Sequence, residues 1–148
     1  WQAERCVSVW QGAKQAKGRQ RWQATALQAA KQARRTRVPE VEEVRDTRAL
    51  IDWVRRTEQS GGVVLVLHEE ARTPISTAME TVRLPAPGAA PPVLAVVVGP
   101  EGGISPEETA ALEAAGAMTV RLGPHVMRTA SAGPVALAVL AHTSGLWE

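Results

Sequence analysis

Residues Gly99, Pro100, Glu101, Gly102 and Gly103 crowd three glycines into one short stretch, and Ile104, Ser105 and Pro106 follow directly. Glycine has no Cβ, so such a stretch can turn sharply and bring backbone close to a ligand. Ser105 is a good helix N-cap, Pro106 suits the first helical position, and Glu107 and Glu108 fall in the first turn, where the helix dipole favours negative charge. The run Leu94-Ala95-Val96-Val97-Val98 precedes the turn and reads as a strand covered on both faces, as in a parallel sheet. A ligand would meet this turn at the carboxyl end of a strand, where open α/β sheets bind ligands. The spacing is not G-x-G-x-x-G and no Gly-Lys-Ser/Thr follows, so neither dinucleotide nor P-loop chemistry is indicated. Glu101 inside the turn also argues against a phosphate cradle. On these residues alone, a tight strand-to-helix connection without a ligand remains open.

A second stretch adds to the first. Residues 119–133 read Thr-Val-Arg-Leu-Gly-Pro-His-Val-Met-Arg-Thr-Ala-Ser-Ala-Gly: a short strand, a Gly123-Pro124 turn, and Thr129 or Ser131 as cap of a final apolar helix. Together the two stretches resemble the carboxyl-terminal signature of SPOUT-class RNA methyltransferases, and more closely that of the RsmE family. That family's pattern is Gly-Pro-Glu-Gly-Gly-(apolar)-Ser-x-x-Glu, then Leu-Gly-x-x-(apolar)-Leu-Arg-Thr-x-(Thr/Ser)-Ala. Here the matches are residues 99–105 with Glu108, then Leu122-Gly123 with Met127-Arg128-Thr129 and Ser131-Ala132.

The resemblance implies methylation of N3 of a uridine in small-subunit (16S) ribosomal RNA, with S-adenosylmethionine as methyl donor. It implies a SPOUT-type carboxyl-terminal trefoil knot and a homodimer. It assigns the cofactor to three segments: Leu67, His68 and Glu69; Val98, Gly99, Pro100, Glu101, Gly102 and Gly103; and Leu122, Gly123 and Met127. Arg128 is the candidate catalytic residue, because a guanidinium can hydrogen-bond a uracil carbonyl as negative charge builds there. Thr129 and Ser131 are candidates for RNA contact as well as for capping. His125 is a candidate proton carrier, although a lone loop histidine is often exposed and idle. Two departures stand out: Ala130 replaces a Glu common in the family motif, and Ala29 replaces the usual Glu of an Glu-Ala-x-x-Gln-(Ser/Ala)-x-Arg stretch. In that stretch Gln32, Arg34, Arg35 and Arg37 are RNA-binding candidates, with a solvated helix end as the plainer alternative. A TrmH-type SPOUT ribose 2′-O-methyltransferase and a non-catalytic RNA-binding domain are the competing functions.

These segments need a scaffold. The chain has 148 residues, enough for one domain with a sizeable core. Phe and Tyr are absent, so the core must be built from Val, Leu, Ala and Ile with five Trp. Expected strands are residues 5–10, 62–69, 94–98 and 119–122, with a short strand or extended piece at 41–44. Expected helices are 19–35, 47–57, about 75–79, about 106–115 and 131–142, with Pro134 tolerated near the start of the last. Residues 13–18 and 85–92 read as loops. Strands alternating with helices give an α/β fold, a mainly parallel sheet with helices on both faces. Residues 1–148 are expected to be a single SPOUT domain, without the amino-terminal RNA-binding β-barrel that RsmE proteins carry; the start at Trp1 without Met suggests a fragment.

The net charge is only +2, but the amino-terminal quarter gathers Arg19, Arg21, Lys31, Arg34, Arg35 and Arg37, a local footprint for nucleic acid. Cys6 is the sole cysteine, which excludes an internal disulfide and fits a reducing cytoplasm. With three scattered histidines, no zinc site is expected. No signal peptide is evident, and no apolar run approaches the roughly 20 residues needed to span a bilayer.

Overall fold

The computed structural model describes residues 1–82 and 93–147. Three parallel strands form the sheet: β1 (Val63–Leu67), β2 (Leu94–Val98) and β3 (Met118–Val120), in the order β2-β1-β3. The register pairs Leu67 with Val98 on one side and with Val120 on the other. The carboxyl ends of the three strands therefore finish level, and the loops that leave them start from one edge.

Side chains alternate across a strand, and central β1 feeds two cores. Val64 and Val66 join Leu50 and Val54 of α2 (Thr47–Gln59) and Leu112 of α4 (Pro106–Ala114). Leu65 joins Ile75 and Met79 of α3 (Ile75–Thr81) and Ala136 and Leu140 of α5 (Thr129–Thr143) on the opposite face. Helices thus cover both faces, as the alternation of elements predicts. Strand order reverses at β1, which puts a crevice beyond the carboxyl ends of β1 and its neighbours. β2 is less enclosed than its sequence suggests: Val97 is its one buried residue and the other four are half-buried. An unbroken apolar run reads alike for an edge strand and a central one.

Four local expectations change. Residues 5–10 form no strand. Cys6 N–H donates to the Ala3 carbonyl and Trp10 N–H to the Gln2 side chain, so the segment folds back on itself instead of meeting a sheet. Residues 13–18 are not a loop but the first turns of α1 (Ala13–Gln32). Lys14, Gln15, Ala16 and Lys17 are good helix formers, and the Trp10 ring lies against the Gly18 backbone so closely that a Cβ there would be 2.1 Å from it. The same helix ends at Gln32 rather than 35, because Arg34 takes φ 53° and Arg35 N–H turns back to the Ala30 carbonyl at 2.9 Å. Residues 41–44 form no strand. The expected loop at 85–92 lies outside the described residues. Among those described, no helix is long and apolar enough to cross a membrane.

Candidate active site

The level strand ends open into a cleft of about 120 Å³. Leu67, His68 and Glu69 line it from the end of β1. Val98, Gly99, Pro100, Gly103 and Ile104 line it from the end of β2. Arg121, Leu122, Gly123, Pro124, His125, Val126 and Met127 come from the loop after β3, and Thr129 and Ala132 from the start of α5. His68 N–H continues the ladder to the Val120 carbonyl at 3.0 Å, and its Nδ1 accepts from Glu70 N–H at 3.2 Å. That ring nitrogen is therefore the unprotonated one in a neutral imidazole.

Each glycine of the turn has a different job. Gly103 N–H closes the turn on the Pro100 carbonyl at 2.9 Å, with φ 76° at Gly103. Nothing lies within 4 Å of the place a Gly103 Cβ would occupy. It is the bare backbone that faces the cleft. A Cβ at Gly99 would sit 2.6 Å from Ile104 Cγ1, since Ile104 tucks beneath the turn. A Cβ at Gly102 would sit 2.8 Å from the Arg5 carbonyl oxygen. Gly102 thus packs on the amino-terminal segment and does not line the cleft, and Glu101 beside it is exposed. Of the twelve residues expected to meet a cofactor, these two stand apart from the lining.

Behind the turn, Ser105 and Glu108 form a reciprocal capping box on α4, and Glu108 does more than cap. Its carboxylate accepts from the Thr47 hydroxyl at 2.6 Å and from Glu4 N–H at 3.0 Å, while 6% of the residue is exposed. Burial pushes this carboxyl up, but the hydrogen bonds from Thr47, Glu4 and Ser105 outweigh it and hold the group below the usual carboxylate range. The last acidic position of the motif is therefore a clamp joining the amino-terminal segment, α2 and α4.

The start of α5 corrects the expected cap. Arg128 is the N-cap and makes no capping side-chain bond; neither Thr129 nor Ser131 caps the helix. The Thr129 hydroxyl donates instead to the Gly99 carbonyl at 3.4 Å, tying α5 to the turn after β2. Ser131 is exposed in the first helical turn, with its N–H on the Arg128 carbonyl at 2.8 Å. Arg128 itself is exposed and is not among the lining residues, although Met127 and Thr129 on either side of it in the chain both line the cleft. Gln32, Arg34, Arg35 and Arg37 are all exposed at the end of α1, and none lines the cleft.

Sequence reasoning passed over Ile104, Arg121 and Ala132 as lining residues, while Pro124 and Val126 fall within the expected segment 122–127. The signal for all three was present: Ile104 and Ala132 lie inside the motif matches and Arg121 directly precedes one. His125 lines the cleft yet is exposed. Among the described residues no group of three or more His, Cys, Asp or Glu is placed to hold a metal ion.

Comparison with known proteins agrees with this geometry. Residues 1–141 match the RNA methyltransferase domain family. The ribosomal RNA small subunit methyltransferase E of Mycobacterium bovis is 47% identical over 148 residues, all of this chain and 53% of that protein. A putative methyltransferase of Legionella pneumophila, solved in complex with its bound cofactor SAM, superposes with a TM-score of 0.76 at 30% identity, over 95% of this chain and 52% of its own. The ribosomal RNA small subunit methyltransferase E of Neisseria gonorrhoeae, bound to S-adenosyl methionine, gives 0.73 at 26% identity over 93% and 52%. The chain spans about half the length of the curated relatives it matches. A three-strand parallel sheet with a cleft at its level carboxyl edge, two motifs walling that cleft and a match over nearly every residue lead to one assignment: the chain belongs to the RNA methyltransferase domain family, among relatives of the RsmE type.

Proposed function

We propose that this chain is the catalytic part of an S-adenosylmethionine-dependent enzyme that methylates N3 of a uridine in small-subunit ribosomal RNA. The observation that carries the reading is the cleft: three motif segments that are distant in sequence meet at one sheet edge. The cleft suits the cofactor. Its walls offer backbone N–H and C=O groups from three loops, Gly103 and Gly123 leave open space beside them, and Leu67, Ile104 and Met127 supply apolar surface. S-adenosylmethionine, when bound, supplies an electrophilic methyl group.

The remaining work belongs to the protein. Loop backbone orients the donor, and the rim presents uracil edge-on, which converts a bimolecular encounter into a positioned one. As N3 gives up its proton to solvent, negative charge spreads to the ring carbonyls. Arg128, the N-cap residue of α5 between two residues that line the cleft, would hold that charge through its guanidinium. Ala130, like Arg128, lies outside the cleft lining.

The reading extends to the trefoil threading of α5, to a single domain over residues 1–148 with the family's β-barrel domain outside it, to a homodimer and to a cytoplasmic setting. Exposed Val126, Leu137, Leu146 and Trp147, at 76%, 56%, 72% and 67%, support a partner along α5 and the loop before it. The deciding experiment incubates the chain with S-adenosylmethionine and small-subunit RNA or particles, then digests the RNA for nucleoside mass spectrometry. 3-Methyluridine is expected. A ribose-methylated nucleoside would move the assignment to the 2′-O-methyltransferases, and no methylated product beside proven cofactor binding would withdraw the catalytic claim.

A further inference from the structure

Away from the cleft, α1 carries a second groove that its proposed chemistry does not use. Trp10, Gly18, Arg21, Trp22 and Thr25 line it, and its volume is about 410 Å³. The four helical positions fall three or four residues apart, so they form one stripe of α1. An adjoining side of the helix is already occupied: Arg19 donates to the Val41 carbonyl at 2.7 Å, and Gln23 bonds both Pro39 and Val41. Trp22 is left out of these contacts and is 63% exposed.

The groove is a built feature. Gln2 accepts from Trp10 N–H at 2.9 Å and Gln15 donates to the Trp10 carbonyl at 2.9 Å, which fixes the backbone that carries one indole. That ring lies on Gly18, where any side chain would collide with it. A second indole stands one helical turn on, with a guanidinium beside it. Two indoles and an arginine around an open volume are what a stacked nucleobase and its phosphate require.

Charge selects the occupant. Residues 5–39 contain nine of the chain's 17 Lys and Arg, while all 15 Asp and Glu lie outside that span. Of these cations Arg21 lines the groove itself, and a nucleic-acid strand would supply an anion for it at every nucleotide. The groove is also tied to the turn after β2 by a short length of chain. Arg5 packs on Gly102, and Trp10 follows five residues later. At the fully extended limit that is about 18 Å of chain.

We propose that Trp10, Trp22 and Arg21 form a stacking site for one unpaired base of the RNA strand, which α1 holds while another nucleotide enters the cleft. This rests on the RNA-methylating reading, but its test does not require turnover. Binding of a labelled, unstructured uridine-rich oligonucleotide is measured by anisotropy over a salt series, and S-adenosylmethionine affinity is titrated separately on the same proteins. Trp22→Ala should weaken RNA binding about 5- to 150-fold, with the slope against salt unchanged, since no counterion is involved. Trp22→Phe should keep most of the affinity and Trp22→Leu should not. Arg21→Gln should lower the slope by about 0.7. Cofactor affinity should be equal in all. RNA affinity unaltered in Trp22→Ala, or equal in the Phe and Leu variants, would overturn the proposal. So would a change of oligomeric state in Trp22→Ala at unchanged RNA affinity, which would make the groove a protein interface. If cofactor binding fails in every protein while the Trp22 effects persist, the methyltransferase reading falls and the stacking site stands.

Discussion

Removing the Glu108 carboxylate tests how the candidate site is held together. Glu108→Ala deletes the acceptor for the Thr47 hydroxyl and for Glu4 N–H, and it also breaks the capping box with Ser105. Hydrogen bonds to a charged, buried acceptor contribute about 1.5–3 kcal/mol each. The two long-range bonds together are then worth about 3–6 kcal/mol, against a total of about 5–15 kcal/mol for a typical domain. Glu108→Gln keeps an accepting oxygen and loses the charge, so about 1–3 kcal/mol is expected. The sign of the pH dependence follows from the carboxyl lying below its ordinary value of 4.5 in the folded protein. The unfolded chain then binds the proton more readily, so this stabilisation is present above about pH 4.5 and is lost as pH falls through the lower folded value. Urea unfolding followed by tryptophan fluorescence, at about pH 7 and about pH 3.5, reads both effects. The gap between parent and Glu108→Gln should narrow at the lower pH. A cost below about 1 kcal/mol for the Ala variant, or a gap indifferent to pH, would refute the clamp.

Other perturbations separate site from scaffold. Arg128→Ala should leave the urea midpoint unchanged and cut methyl transfer about 100- to 1,000-fold, as for loss of one donor to a developing anion; equal turnover would remove Arg128 from catalysis. Gly102→Val should destabilise the fold by collision with the Arg5 backbone, seen as a lower thermal midpoint. Gly103→Val combines a strained φ of 76°, costing about 1–3 kcal/mol, with a side chain entering the cleft, so calorimetry should show weakened S-adenosylmethionine binding as well. Leu137→Glu, on the exposed face of α5, should shift sedimentation toward monomer; an unchanged distribution would place any dimer contact elsewhere.

Much of this arrangement could be read from local patterns. The run 63–67, the run 94–98 and the Ser105-Pro106 cap carry their own signals, because burial and capping act over a few residues. Where partners are distant, the residues alone misled. Residues 5–10 alternate like a strand but meet no sheet edge. Gly18 looked like a breaker because its cover, the Trp10 ring, arrives from outside the helix. Gly102 looked like a ligand contact because a close approach by Arg5 imposes the same requirement for glycine as a cofactor does. Thr129 and Ser131 suited a cap by type, yet the Thr129 hydroxyl turns to Gly99, thirty residues away in the chain.

The Glu4–Glu108 bond spans 104 residues, and it also has a place in time. Bringing such distant positions together costs about 4 kcal/mol of loop-closure entropy, so this contact is expected to form after the local helices. The turn that walls the cleft is backed by the same amino-terminal segment, and α5 supplies the opposite wall. A binding-competent cleft is therefore among the last things the folding chain makes. Partly folded molecules would have sheet and helices but no hold on a methyl donor, and the donor, by binding the finished form alone, would draw folding to completion.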